Sequence, residues 1–280
     1  MEITLYTAVE DAFDPTDCPE WYPEAVSYLR GNKDEGLFGL YLYNLIRETE
    51  SISTVVNVGT ARGHSAVCAA KALSEADRTG TIHTIDIIHP DETRNWHSNH
   101  AQSDPLVGGE TSMRNLVSRF HNPGSKDVPI QFHTGDSSTI LQQWDADAPD
   151  LVFHDGKHNY ETVSTDIEAT NVIGEDRPIH VFDDCYLYAP SWEFRPFARG
   201  VPDTTHRLPK IGGLAKILQE FSISQSPYPD VDRAVEEAID EQWCRAQIIV
   251  DDDHAPITTL YPEAGDLRSV ASATMAEKRS

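Results

Sequence analysis

Five short apolar runs, Thr54–Val58, Thr81–Ile85, Pro129–His133, Leu151–His154 and Ile179–Phe182, alternate along this chain with stretches of helical spacing. Runs rich in β-branched residues and bounded by turn or polar residues mark buried strands. Ser65–Leu73 is an Ala-rich helical pattern, and further helices are expected near 111–120, 158–172 and 213–221. Strands that alternate with helices pair in parallel, because each parallel neighbour needs a crossover long enough to hold a helix. Near the end, Trp243–Val250 and Pro256–Tyr261 are two more runs joined only by Asp251-Asp-Asp-His-Ala255. That link is too short for a crossover, so these two must be antiparallel. The expected architecture is α/β: a seven-stranded, mostly parallel sheet ending in a C-terminal antiparallel hairpin.

Ligands of an open parallel sheet bind beyond the carboxyl ends of its strands. Here the run at Leu151 leads into Asp155, with His158 three residues on, and the run at Ile179 leads into Asp183-Asp184. Three carboxylates gathered at neighbouring strand ends repel one another unless a cation or a proton intervenes. Hard oxygen donors without cysteine favour magnesium, manganese or calcium over a structural zinc. The same acids could instead cap helix N-termini. His154 should point away from the side that Asp155 faces, by strand alternation.

The first strand leaves through Gly59-Thr-Ala-Arg-Gly63-His-Ser65 into a helix. Glycines there allow a tight turn and a close backbone approach to a ligand. Ala61 stands where the dinucleotide fingerprint requires its middle glycine, which disfavours a nicotinamide cofactor, and no Gly-Lys-Ser/Thr is present for a P-loop. Asp86 ends the second strand, placed to accept hydrogen bonds from ribose hydroxyls. Gly135-Asp136-Ser137 follows the third strand and could meet an adenine ring and its amino group.

Together these motifs resemble the class I methyltransferases that use S-adenosylmethionine. Within that class they resemble the group of macrolide sugar and rhamnosyl O-methyltransferases and cephalosporin hydroxylase-like proteins, which implies a Rossmann-like fold. The likeness runs from about Glu35 to Asp184 and more loosely to Pro262. Asn57 to Ser65 is similar to the family's acid-x-Gly-x-x-x-Gly-x-Ser loop. Asp150 to Tyr160, continuing to Asp166, is similar to its Asp-Gly-x-His-x-Tyr segment, and Val181 to Asp184 to its metal pair. The resemblance implies S-adenosylmethionine bound by Asn57, Gly59, Thr60, Ala61, Gly63, Ser65, Asp86, Asp136, Ser137 and Asp155. It implies Mg2+ or Mn2+ on Asp155, Asp183 and Asp184, with His158 as general base. The acceptor would be a hydroxyl of a small molecule or sugar. Two departures stand out: Asn57 replaces the usual Glu or Asp, and Lys157 sits beside the metal acid. A relative that performs another reaction on the same cofactor, or a non-catalytic binding protein, are the alternatives.

Residues 1–50 are expected to form an N-terminal helical cap, with helical spacing at Trp21–Arg30 and Leu37–Thr49. Residues 51–262 would be the methyltransferase core, with insertions at about 87–110 and 186–210, and 263–280 a flexible tail. His89, His97 and His100 in the first insertion match no compact metal motif, which suits a mobile polar lid. Trp192, Phe194 and Phe197 in the second could face an acceptor or pack in the core. The cap and the lid offer surfaces for a homo-oligomer. Cys18, Cys68, Cys185 and Cys244 are widely spaced, as reduced thiols of a cytoplasmic enzyme are. No secretory signal and no membrane-spanning apolar run is visible.

Acidic residues outnumber basic ones 46 to 22, for a formal net charge of -24. Without a Lys/Arg cluster such a chain is a poor partner for a phosphate backbone, so nucleic acid is not the expected substrate. Charge of this density self-repels in dilute salt and suits a halophilic source such as a haloarchaeon, because screening shortens to ~3 Å at 1 M salt. The melting temperature should therefore rise between low and molar salt; equal stability in both would contradict the halophilic reading.

Overall fold

The apolar runs do pair side by side, and the order in which they pair places the described site candidates at one end of a sheet. The computed structural model describes residues 4–7, 18–30, 37–96, 110–121, 128–183, 185, 229–242, 245–249 and 257–262. The strands are β1 (Thr4–Thr7), β2 (Thr54–Val58), β3 (Thr81–Asp86), β4 (Thr93–Asn95), β5 (Glu110–Ser112), β6 (Ile130–Thr134), β7 (Leu151–His154), β8 (Ile179–Phe182), β9 (Arg245–Ile249) and β10 (Ile257–Tyr261). The helices are α1 (Tyr22–Ala25), which runs on into a π-helical turn at Val26–Arg30, α2 (Leu37–Glu48), α3 (His64–Glu75), α4 (Met113–Ser118), α5 (Ser137–Gln142), α6 (Tyr160–Asn171) and α7 (Pro229–Gln242).

Among the described residues the main sheet has eight strands in the order β1-β9-β10-β8-β7-β2-β3-β6. The expected count of seven is thus one short. The extra strand is Thr4–Thr7, inside the segment read as a helical cap, and it pairs in parallel with β9. Its Thr-Leu-Tyr-Thr sequence is β-prone, and four residues suffice at a sheet edge. β10 runs antiparallel to both β8 and β9, so the C-terminal hairpin stands as expected. All other neighbouring strands pair in parallel. The ends of the first insertion pair as the separate ribbon β4-β5, fastened by Arg114 to Asp91. The helix expected near 213–221, the segment 186–210 with Trp192, Phe194 and Phe197, residues 263–280, His97, His100, Cys244 and Asp184 lie outside the described residues. No described helix is long and apolar enough to cross a membrane.

The two faces of the sheet differ in chemistry. Val55, Ile82, Leu151, Phe153, Ile179 and Val181 share one face and pack under Phe38, Leu42 and Ile46 of α2 and Ala66, Ala69 and Leu73 of α3. Small residues on α3 let this helix lie close to the strands. The opposite face carries Val56, Val58, Ile85 and Val152 beneath Leu141 of α5 and Ala169 of α6. By strand alternation it also carries four histidines, His83, His133, His154 and His180.

Those histidines satisfy one another. His83 Nδ1 and His133 Nε2 are 3.0 Å apart, against Trp144, and His154 Nε2 and His180 Nδ1 are 2.9 Å apart, stacked on Phe182. His180 Nε2 reaches Asn171 Oδ1 at 3.2 Å. Each pair needs one donor and one acceptor nitrogen, so it works only while at least one ring is neutral. Burial pushes His154 down to about 3. Burial, then the charge His133 would carry, pushes His83 down to about 4. In the unfolded chain these rings take up protons near pH 6.5.

The unfolded state therefore binds more protons between about pH 6.5 and 4, and stability falls across that window as pH is lowered. His83 alone should contribute roughly 2–3 kcal/mol of this loss. Urea melts from pH 7 to 4.5 should show the decline. His83→Gln, which can still hydrogen-bond His133, should make it shallower; the same slope in both proteins would contradict this assignment.

Candidate functional site

Backbone geometry at the end of β2 requires its glycines. Gly59 and Gly63 lie at φ +90° and +88°, and a Cβ on Gly59 would overlap the carbonyl of Asp155. The glycine loop and the Asp155 loop therefore touch directly, and Asp155 N–H donates to Val58 O at 2.8 Å. Ala61 also adopts a left-handed conformation, φ +46°, which costs an alanine about 1 kcal/mol or more. Asp86 offsets that cost. Its Oδ2 accepts from Thr60 N–H at 3.0 Å and Ala61 N–H at 2.8 Å, while Oδ1 accepts from Ile88 N–H at 2.9 Å.

Three of the roughly four acceptor positions of the Asp86 carboxylate are thus used within the protein. That leaves about one acceptor position on this carboxylate for a further partner. Asn57 is likewise turned inward and only 1 % exposed. Its Nδ2 donates to Thr84 Oγ1 at 2.7 Å and Gly59 O at 3.2 Å, and its Oδ1 accepts from Ser65 Oγ at 2.7 Å. A carboxylate in this place could not donate, so the amide matches Thr84, which is in turn 2.6 Å from Thr60 Oγ1. Asn57, Thr60 and Ser65 brace the loop with buried side chains, whereas Ala61 is exposed.

One strand further out, Gly135 N–H donates to Asp86 O at 2.9 Å, which brings Asp136 and Ser137 beside Asp86. Asp136 Oδ1 caps α5 through Thr139 N–H at 3.2 Å. Ser137 and Ser138 both donate to the buried Asp166 of α6. Ile87, directly after Asp86, is 79 % exposed, a rare placement for a large apolar residue here. Sequence reasoning passed over Ile87, although an apolar residue next to a strand-end acid was a visible signal, and named Asp166 only within the family resemblance, without its serine partners.

On the other side of the glycine loop stand Asp155, His158 and Asp183. Asp183 N–H donates to His154 O at 3.0 Å, so the ends of β7 and β8 are locked together. The helix-capping alternative for Asp155 does not hold, because Asn159 Oδ1 caps α6 through Thr162 N–H at 2.9 Å. His158 Nε2 lies 3.9 Å from Asp155 Oδ1, with both side chains partly open to solvent. Burial lowers the His158 pKa and the charge of Asp183 draws it back up. A small cavity lies between His158, Lys157, Gly156, Asp183 and Val231 of α7. His154, stacked on Phe182, and Asp166 of α6 line the same cavity. No group of three or more His, Cys, Asp or Glu among the described residues could hold a metal ion, and Asp184 lies outside them. His89, in the first insertion, is exposed and accepts from Asp91 N–H.

The arrangement offers a backbone-lined loop, a strand-end acid with an acceptor position to spare and an imidazole beside two carboxylates. Residues 56–185 match the family model described as a methyltransferase domain. No curated protein matches the chain in sequence. Among solved structures, the chain is similar to the S-adenosylhomocysteine-bound methyltransferase PaMTH1 of Podospora anserina, at 12 % identity and TM-score 0.51 over 88 % of this chain and 89 % of that one. It is also similar to a Corynebacterium glutamicum protein, at 15 % identity and TM-score 0.50 over 90 % and 93 %. At these identities the likeness is one of fold, the class I methyltransferase fold.

If Asp86 braces the loop as these bonds indicate, Asp86→Ala should destabilise the ligand-free protein by about 2–3 kcal/mol, the worth of hydrogen bonds to a charged group. Denaturant melts check this; unchanged ligand-free stability would leave Asp86 a ligand contact alone.

Proposed function

We propose that the chain, whose residues 56–185 match a methyltransferase-domain model, is an S-adenosylmethionine-dependent O-methyltransferase, assisted by a divalent metal, for a hydroxyl of a small molecule or sugar. The observation that carries this reading is the seating of His158 Nε2 3.9 Å from Asp155 Oδ1, on the loop that packs against the glycine loop. When bound, the cofactor supplies a methyl group activated on a sulfonium. The exposed backbone around Ala61, the open acceptor position of Asp86 and the apolar face of Ile87 suit its loop-side, ribose and adenine parts. Asp136 and Ser137 flank the adenine side.

The donor set of Asp155 and Asp183, two carboxylates on adjacent strand ends, fits a hard cation such as Mg2+ or Mn2+, with Asp184 the proposed third ligand. Such an ion would supply positive charge to an acceptor oxygen as it loses its proton. His158 is neutral at pH 7, because burial outweighs the pull of Asp183, so its imidazole can take that proton. Asp155 and Asp183 then lie close enough to favour the imidazolium that results. Asn159, by capping α6, holds the first turn that presents His158.

Release of S-adenosylhomocysteine, measured with S-adenosylmethionine, Mg2+ and a panel of sugar and phenolic hydroxyl acceptors, tests the reading. His158→Ala should lower turnover by roughly 10²–10⁴-fold while sparing cofactor affinity. Asp155→Ala and Asp183→Ala should abolish turnover and the stabilising effect of added Mg2+. Near-normal turnover in His158→Ala, or activity indifferent to exhaustive chelation, would overturn this mechanism. Tight binding of a nicotinamide cofactor with no affinity for S-adenosylmethionine would replace it with an oxidoreductase.

A further inference from the structure

Asp166 is a buried carboxylate that the methyl-transfer chemistry leaves without a task. It lies in α6, is 2 % exposed, and accepts two hydroxyl protons from α5. Ser137 Oγ donates to its Oδ2 at 2.7 Å and Ser138 Oγ donates to its Oδ1 at 2.8 Å. A serine hydroxyl has one proton and two lone pairs. With its proton committed to Asp166, Ser137 Oγ has only lone pairs for any other partner. Ser137 is half-buried and two residues past Gly135, which is tied to the carbonyl of Asp86. Ser137 thus follows the strand end beside that of Asp86, the acid assigned to the ribose in the function proposed above.

We propose that Asp166 is a positioning residue that sets base specificity: by holding the Ser137 proton it makes Ser137 Oγ an acceptor only, matched to an adenine amino group and mismatched to a 6-oxo group. This rests on the adenosyl-cofactor reading given above. A 6-oxo purine presents lone pairs to lone pairs at that point, and a site built for a donor rejects a ligand lacking one. The link also joins the adenine side of the crevice to α6, the helix whose first turn follows His158.

Burial pushes the Asp166 carboxyl up to about 6, against the pull of the Ser137 and Ser138 hydroxyls and with a small upward push from Asp136. The groups that face it are Ser137, Ser138 and Asp136 from the α5 side, and His154, Lys157, His158 and Asp183 around the cavity that Asp166 itself lines. Above pH 7 the carboxylate accepts both hydroxyl protons. As pH falls through about 6 it gains a proton of its own to donate, and one serine hydroxyl can turn outward.

Calorimetric affinities of S-adenosylhomocysteine and S-inosylhomocysteine for the full chain, at pH 7.5 and 5.5, test this. Taking the ratio at each pH cancels effects common to both ligands. The wild type should prefer the adenosyl ligand by about tenfold or more at pH 7.5, as expected for one mismatched polar contact. Asp166→Ala frees the hydroxyl to turn either way, and Ser137→Ala removes the acceptor. Each should cut the preference to within about threefold of unity. The ratio should narrow at pH 5.5 in the wild type and stay flat in Asp166→Ala. Should Asp166→Ala fail to fold, Ser137→Ala decides. Equal weakening of both ligands in the variants, or an unchanged ratio, overturns the proposal while leaving the cofactor reading in place. A wild type that binds neither ligand overturns both.

Discussion

The carboxylate of Asp86 holds the site together. Three backbone N–H groups converge on it, two from the glycine loop and one from the start of the first insertion. Without that charge the loop would present unsatisfied donors and an alanine in a left-handed turn with nothing to offset the strain. With it, the loop curls tightly enough for Gly59 to pack on the Asp155 carbonyl, which sets the glycine-loop side of the crevice against His158 and the acids. One strand-end carboxylate thus couples three strand ends, β2, β3 and β7.

Around this centre the two faces of the sheet divide the work. The α2–α3 side is an apolar core, closed by residues from Phe38 to Val181. The α5–α6 side buries polar groups that satisfy each other: two imidazole pairs, and Asp166 with its two serines. Buried polar networks of this kind specify one arrangement, because any shift leaves a donor or acceptor unmet. That rigidity lies directly under the residues proposed to recognise the cofactor and to move the proton.

Much of this was legible in the sequence because the signals were local. Period and β-branching located β2, β7 and β8 residue for residue, and glycine spacing located the loop. What sequence did not show depends on contacts across the sheet. The pairing of Thr4–Thr7 with β9 joins residues far apart in the chain, so a four-residue run near the start carried no mark of its partner. The histidine pairs need two adjacent strands in register before either ring has a partner. Asp86 was read as a ribose ligand because its position is visible in sequence, but the three N–H groups that occupy it are not. Asn57 was read as a departure from an acid, and only the placement of Thr84 explains why an amide fits.

The account stands on the cofactor lying along the ends of β2, β3 and β6 with its sulfur toward His158. A crystal structure of the full chain with S-adenosylhomocysteine and Mg2+ measures this directly. The account predicts ribose on Asp86, adenine between Ile87 and Ser137, and the sulfur facing His158 across a gap that admits one hydroxyl, with density for the ion on Asp155 and Asp183. A sulfur turned away from His158, or an ion bound elsewhere, would contradict it.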